Sequence, residues 1–257
     1  MPRSLPVRAG ETAAMRIRIR FQKVGKIRWT SHRDLARVWE RAIRRVGLPV
    51  AYSQGFSPRP RMHFGLALST GHESLAEYLD VDIDTEAPNA PAESDLDGLV
   101  SPLTDALPVG IDVTAIGVIS TSLESLQQAV VSCSWEVELR GASPSAAAEA
   151  IERALAADEI SVTRERKGKS VTDDVRPYLL DLSVFGPTDA GTQIRAHLAT
   201  QPRGLRIGEL IAVLDPAWEE GRVRRTNQWM LLDGARHEPL EVRAEAASAP
   251  HAEARAS

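Results

Sequence analysis

A strict two-residue alternation near the N-terminus constrains this chain more than any other feature. In "MRIRIRF", residues 15 to 21, Arg16, Arg18 and Arg20 alternate with Ile17, Ile19 and Phe21. Successive side chains of a strand point to opposite faces, so the pattern predicts a strand with one apolar face on a core and one charged face outward. Such a sheet needs a cover, and the next segment supplies one. In "SHRDLARVWERAIRRVG", Leu35, Val38, Trp39, Ala42, Ile43 and Val46 recur at helical spacing. Ser31 with Asp34 three residues on resembles a capping box, and Gly47 followed by Pro49 marks the helix end. Arg33, Arg37, Arg41 and Arg45 follow at intervals of four, with Arg44 beside them, and form a basic stripe.

Further along, "MHFGLAL" and "AEYLDVDID" read as strands around a turn at Gly71, "AESDLDGLVSPLTDAL" as a helix and "GIDVTAIGVI" as a fourth strand. The order through residue 120 is therefore β-α-β-β-α-β, the order of a ferredoxin-like unit. The second half begins with the strand "CSWEVELR" and an Ala-rich helix over 144–157. Strand-like "ISVTRERKG", a hairpin of "RPYLLDLSVF" and "TQIRAHLA", helical "RIGELIAVLD" and a closing strand "RVRRTNQWML" follow. The expected fold class is α+β: two tandem ferredoxin-like units with antiparallel sheets covered by helices, over 15–122 and 128–232. Residues 1–14 and 233–257 lack periodicity and are expected to be disordered tails.

Charge is distributed unevenly. The net charge is -4, yet residues 16–61 hold thirteen Lys or Arg against two acids, Asp34 and Glu40, a net of +11. Such segregation gives a local positive field suited to phosphates on a body that stays soluble. No apolar run approaches the ~18 to 20 residues needed to cross a bilayer, and the first fifteen residues lack the apolar core of a signal peptide, so a cytoplasmic protein is expected. The one cysteine, Cys133, excludes an internal disulfide and a cluster-binding cysteine triplet, and its strand context reads as a small buried apolar residue.

The candidate phosphate or RNA ligands are Arg16, Arg18, Arg20, Lys23, Lys26, Arg28, Arg33, Arg37, Arg41, Arg44, Arg45, Arg59 and Arg61. Guanidinium forks grip phosphate oxygens, and neutralising six phosphates would lower affinity by roughly three powers of ten between 50 and 200 mM salt. The same face also suits an acidic protein partner. Between Tyr52 and Gly65, "YSQGFSPRPRMHFG" adds a loop in which Gly55 permits unusual backbone angles and Pro58 and Pro60 stiffen an arm holding Arg59 and Arg61 apart. With Ser53, these residues form a candidate recognition loop. Phe56 either stacks on a base or anchors the loop to the core, and Tyr52 divides in the same way.

His32, Asp34 and Glu77 are weak candidates for acid–base work, which requires them to converge in one pocket. His63, His72, Glu73 and Glu77 match no zinc spacing, so no metal site is expected. Asp80, Asp82 and Asp84 alternate along one strand face, where they either bind a cation or balance the arginines. There is no Gly-rich phosphate loop and no nucleophile elbow.

Residues 16–77 resemble the radical-SAM-linked protein family, a bacterial family with a domain of unknown function found alone or fused to the C-terminus of radical SAM proteins. The resemblance rests on Phe21, Lys23, Gly25, Arg28, Ser31-His32, Asp34-Leu35, Arg41-Ala42, Arg44-Arg45, Ser53, Gly55-Phe56, Pro58 and Pro60, continued by Glu73-Ser74 and Glu77-Tyr78. Asp174, Arg176 and Pro177 extend it loosely into the second half. Arg33 and Arg59 depart from it, standing where an apolar residue and a histidine are expected.

The resemblance implies an accessory to radical SAM chemistry that presents RNA or another polyanion to the enzyme. It implies no cofactor in this chain, with the iron–sulfur cluster and S-adenosylmethionine held by a partner. The functions left open are a non-catalytic binding accessory, a docking subunit for an acidic partner such as the radical SAM protein, and an RNA-modifying or RNA-processing enzyme.

Overall fold

The structure, a computed structural model, describes residues 14–166 and 168–241. The first half runs β1 (Ala14–Lys23), α1 (His32–Val46), β2 (Met62–Phe64), β3 (Glu73–Asp84), α2 (Val100–Ala106) and β4 (Ile111–Ile119). A short helix, α3 (Leu126–Ala129), leads into β5 (Val130–Arg140), α4 (Pro144–Ala156), β6 (Ser161–Arg166), β7 (Lys169–Asp174), β8 (Leu179–Thr188) and β9 (Gly191–Ala199). The chain closes with α5 (Ile207–Leu214), β10 (Glu219–Leu232) and β11 (Ala235–His237). Residues Gly25–Trp29 form a 3-10 helix, and β7, a strand not anticipated, pairs antiparallel with β6.

Nine strands form one sheet in the order β4-β1-β3-β10-β5-β9-β8, with β2 added to β3 and β11 to β10, while β6 and β7 form a separate ribbon. The fold is α+β, with a large and mostly antiparallel sheet. In place of two separate sheets, the halves share one, because Glu73 and Ser74 of β3 lie beside Arg224 and Arg225 of β10 in parallel register. An open strand edge leaves backbone donors and acceptors unpaired. The three residues of β2 pair with β3 only at Leu79–Val81, which leaves the start of β3 free to accept β10. The strands of the first half lie as β4-β1-β3-β2, and those of the second repeat this arrangement as β10-β5-β9-β8 with the β6–β7 ribbon inserted.

Cross-strand partners share a face. Phe21 lies opposite Glu77, Lys23 opposite Ser74, Ser74 beside Arg225, Arg225 opposite Trp135, and Trp135 opposite Ala196. On this face Ile17, Ile19 and Phe21 are buried against Leu35, Trp39, Ala42 and Ile43 of α1, with the Phe21 and Trp39 rings 4.9 Å apart. On the same face Val137, Ile194, Leu198 and Val223 meet Ala150 and Ile151 of α4 and Leu210 and Ile211 of α5. Helices α1, α4 and α5 therefore cover one side of the sheet.

Residues 233–241 do not continue as a patternless tail. Ala235–His237 pair with Met230–Leu232, and the Pro239 carbonyl accepts a bond from Arg18 at 2.8 Å, because the buried Arg18 needs acceptors on the side opposite α1. The rest of that expected tail, 242–257, and residues 1–13 lie outside the described residues. Asp174 and Arg176 also have structural work. Asp174 accepts from the Ile160 and Arg176 N–H groups, and the Arg176 guanidinium donates to the carbonyls of Leu155, Ala157 and Leu179, closing the end of α4.

Candidate functional site

Helix α1 begins and ends as its sequence requires. The Ser31 hydroxyl accepts from the Asp34 N–H at 3.2 Å and donates to its carboxylate at 2.7 Å. This bond, with Arg37 and Arg33 nearby, holds the Asp34 carboxyl below its usual range. At the other end Gly47 adopts the left-handed conformation, and its N–H returns to the Arg44 carbonyl at 3.2 Å. With Leu35, Trp39, Ala42 and Ile43 buried, the opposite face presents Arg33, Arg37, Arg41, Arg44 and Arg45 to solvent. Arg37 meets the exposed Asp34 at 3.3 Å; among the described residues the other four arginines form no ion pair. Arginines four residues apart stand about 6 Å apart along the axis.

The loop after α1 is held at its neck. Tyr52 bridges Pro60, the Ser53 N–H donates to the Arg59 carbonyl at 2.9 Å, and the Arg59 N–H donates to the Ser53 hydroxyl at 3.0 Å. Gly55 takes a φ of 138°, which L side chains avoid. At the tip Phe56 is fully exposed, so its ring does not anchor the loop to the core, and Tyr52 is more than half exposed. Arg44, Tyr52 and Pro60 line one shallow hollow, which joins the end of α1 to the loop. Arg59 is exposed, whereas Arg61 turns back to Asp82 at 3.1 Å.

The strand arginines do not belong to this surface, which corrects the expected charged outer face of β1. They lie on the side of the sheet opposite α1, where a strap of residues 235–241 and the β3 carboxylates enclose them. Arg18 is fully buried, with both Asp80 oxygens at 2.7 and 2.8 Å. Arg16 holds Asp82 at 2.6 Å, and Arg20 reaches Tyr78 Oη at 3.3 Å and Glu238 at 3.5 Å. Asp80 and Asp82 thus balance arginines, while Asp84 receives the Glu86 N–H. Lys23 is buried as well, its ammonium donating to the Arg28 and Thr30 carbonyls at 3.3 and 3.1 Å, and burial lowers its pKa. Arg28 leans toward Glu73 at 3.7 Å, and Lys26 remains exposed.

A buried polar cluster occupies the joint between the halves. Arg225 Nη2 lies 2.6 Å from Glu77 Oε1 and 2.9 Å from the Leu66 carbonyl, and its guanidinium sits 5.5 Å from the Trp135 ring. Burial works against the charge on Arg225, but Glu77 outweighs it and raises its pKa. Burial pushes the neighbouring Cys133 thiol up to about 11, so it stays protonated. Glu73 is equally enclosed, yet the Gly25 N–H and the guanidinium groups of Arg222 and Arg224 hold its carboxyl below the usual range.

His32, Lys23 and Glu77 line one recess of about 10 Å³, room for at most about one water. Asp34 lies outside it, exposed at the start of α1, and the His32 ring packs edge-on against Phe64 at 5.2 Å. The acid–base trio therefore does not converge. Local pattern gave no sign of Arg225 and Trp135 as site residues and weighed His72 only as a metal ligand, since Glu77 and Arg225 are 148 positions apart.

The uncovered side of the second half carries an open cleft of about 930 Å³ with Ser132, Asp181, His197 and Arg236 in its lining. The His197 Nε2 to Ser132 Oγ distance of 2.8 Å suggests a nucleophile and its base. Arg236 Nη1, which can only donate, lies 2.6 Å from His197 Nδ1. Nδ1 must then accept, so Nε2 carries the proton and donates to Ser132, the reverse of an activated serine.

A family model described as "uncharacterized protein conserved in bacteria (DUF2344)" matches residues 16–206, from β1 to the residue before α5. No curated protein matches the chain. No helix of the described residues is long and apolar enough to cross a membrane.

Proposed function

The chain belongs to the bacterial DUF2344 family, and we propose that it acts as a non-catalytic accessory that binds RNA or another polyanion, beside a radical SAM enzyme. One observation carries the binding surface: Arg33, Arg41, Arg44 and Arg45 stand exposed on α1 with no ion pair among the described residues. Arg37, Lys26 and Arg59 extend it, and Phe56 projects from the adjoining loop as a platform for a base. Free guanidinium forks at about 6 Å intervals fit a chain of phosphates.

The association with a radical SAM enzyme is supported by the resemblance over residues 16–77. That chemistry needs an iron–sulfur cluster and S-adenosylmethionine, and with one buried cysteine in this sequence both fall to a partner. We read each half as a ferredoxin-like unit, a reading supported by the repeated strand arrangement.

The test is filter binding of single-stranded RNA by the full chain and by the Arg37→Glu/Arg41→Glu variant. Five phosphate contacts predict a salt slope of about -3.5 and a loss of roughly a hundredfold between 50 and 200 mM. The variant should lose most binding while keeping its melting temperature. Unchanged affinity would overturn the proposal, and an acidic protein that co-purifies after nuclease treatment, and is lost in the variant, would assign the surface to docking.

A further inference from the structure

A cavity of about 350 Å³ lies beside the joint of the two halves, within the size range of small-molecule sites. Leu66 and Leu68 of the β2–β3 connection, Leu198 of β9 and Leu205 before α5 give it apolar walls. Trp135, His72 and Arg225 also line it, and both polar side chains border the indole. The guanidinium lies 5.5 Å from that ring and the His72 ring centre 6.3 Å.

Two polar atoms here lack partners. The His72 side chain is more than nine-tenths buried, and its Nε2 lies 2.8 Å from Glu220 Oε1. A carboxylate only accepts, so Nε2 carries a proton, and in the neutral ring Nδ1 is then a bare acceptor. Nδ1 has no hydrogen-bond partner, and neither has the Nε of Arg225, itself 1% exposed. Each orphaned group costs about 1–3 kcal/mol, so a ligand that pairs both gains from their burial. The Arg225 charge is already matched by Glu77, and a neutral His72 carries none, so neither side chain calls for a charged ring. The exposed Arg206 also lines the cavity and forms no ion pair among the described residues, so it would meet a phosphate attached to the ligand.

We propose that this cavity binds a neutral planar heterocycle with a carbonyl next to an N–H, the lactam or imide edge of a nucleobase. The carbonyl accepts from Arg225 Nε, the ring N–H donates to His72 Nδ1, and the ring lies against Trp135. The base comes either from a free nucleoside or from a nucleotide of an RNA. The inference rests on the cavity's own groups and does not require the α1 surface to bind RNA.

The experiment is calorimetric titration of the full chain with uridine, 3-methyluridine and a short oligo(U). Two variants accompany it: His72→Ala, and Leu68→Trp, which fills the cavity without touching a polar partner. Each variant is first checked for an unchanged melting profile. Expected is binding of uridine, a loss of about tenfold or more for 3-methyluridine, whose donor is blocked, and loss of uridine binding in Leu68→Trp. Oligo(U) that binds only with an open cavity, while uridine does not, also supports the site and assigns it to RNA. If His72→Ala fails to fold, the methyl comparison carries the same information. Equal binding of uridine and 3-methyluridine, or no binding of any probe, overturns the inference. Oligo(U) binding that survives Leu68→Trp but is lost in Arg37→Glu/Arg41→Glu overturns it too, and leaves the α1 proposal standing.

Discussion

Glu77 Oε1 lies 2.6 Å from Arg225 Nη2, so a buried ion pair joins β3 of the first half to β10 of the second. Desolvating two charges is costly, and such a pair holds geometry more than it adds stability. It sits where the sheet has its parallel joint, between Ser74 and Arg225. The pair therefore fixes how the halves meet.

Removing one partner leaves the other charge stranded. Glu77→Leu and Arg225→Met should each cost about 3–5 kcal/mol, and the double substitution much less than their sum. Urea unfolding of the three variants measures this. An additive double variant would show that the two groups are not coupled.

Glu73 links stability to acid. Its carboxyl is held below the unfolded value of about 4.3, so its contribution is complete above that pH and is lost as pH falls through the lower folded value. Glu73→Gln should cost about 3 kcal/mol at pH 7. The gap to the parent should narrow below roughly pH 4. A gap that stays constant down to about pH 3 would mean that its charge contributes nothing.

Cys133 should be inert in the folded chain. It is buried, and its thiol is pushed up to about 11. At pH 8 a disulfide reagent should label it only after unfolding in urea. Rapid labelling of the native protein would place the thiol in a far more open setting.

Phe56 separates binding from stability. Its ring touches no core, so Phe56→Ala should leave unfolding within about 0.5 kcal/mol of the parent. If the ring stacks on a base, RNA affinity should fall by about 1–3 kcal/mol. Unchanged affinity would remove Phe56 from the contact surface.

Much of the α1 surface was legible locally. Helical spacing put Leu35, Trp39, Ala42 and Ile43 inward and Arg33, Arg37, Arg41 and Arg45 outward, and the structure follows that division because one helix face can pack and the other cannot. The segment was legible as a loop, but the direction of Phe56 was not, because no local pattern says which side of a turn will meet a core.

By itself, then, the sequence determined most of the segments that become strands and helices, though not β7 or β11, since periodicity is a property of neighbouring residues. Alternation made β1 a strand, and Ser31 and Gly47 bounded α1. Only the tertiary structure decided which faces meet water. Arg18 is buried because Asp80, 62 positions away, and Pro239, 221 positions away, come to it. The same long-range pairing merged the two halves into one sheet and placed Arg225 against Glu77. Burial of a charge depends on what the rest of the chain brings to that face, and no local pattern records it.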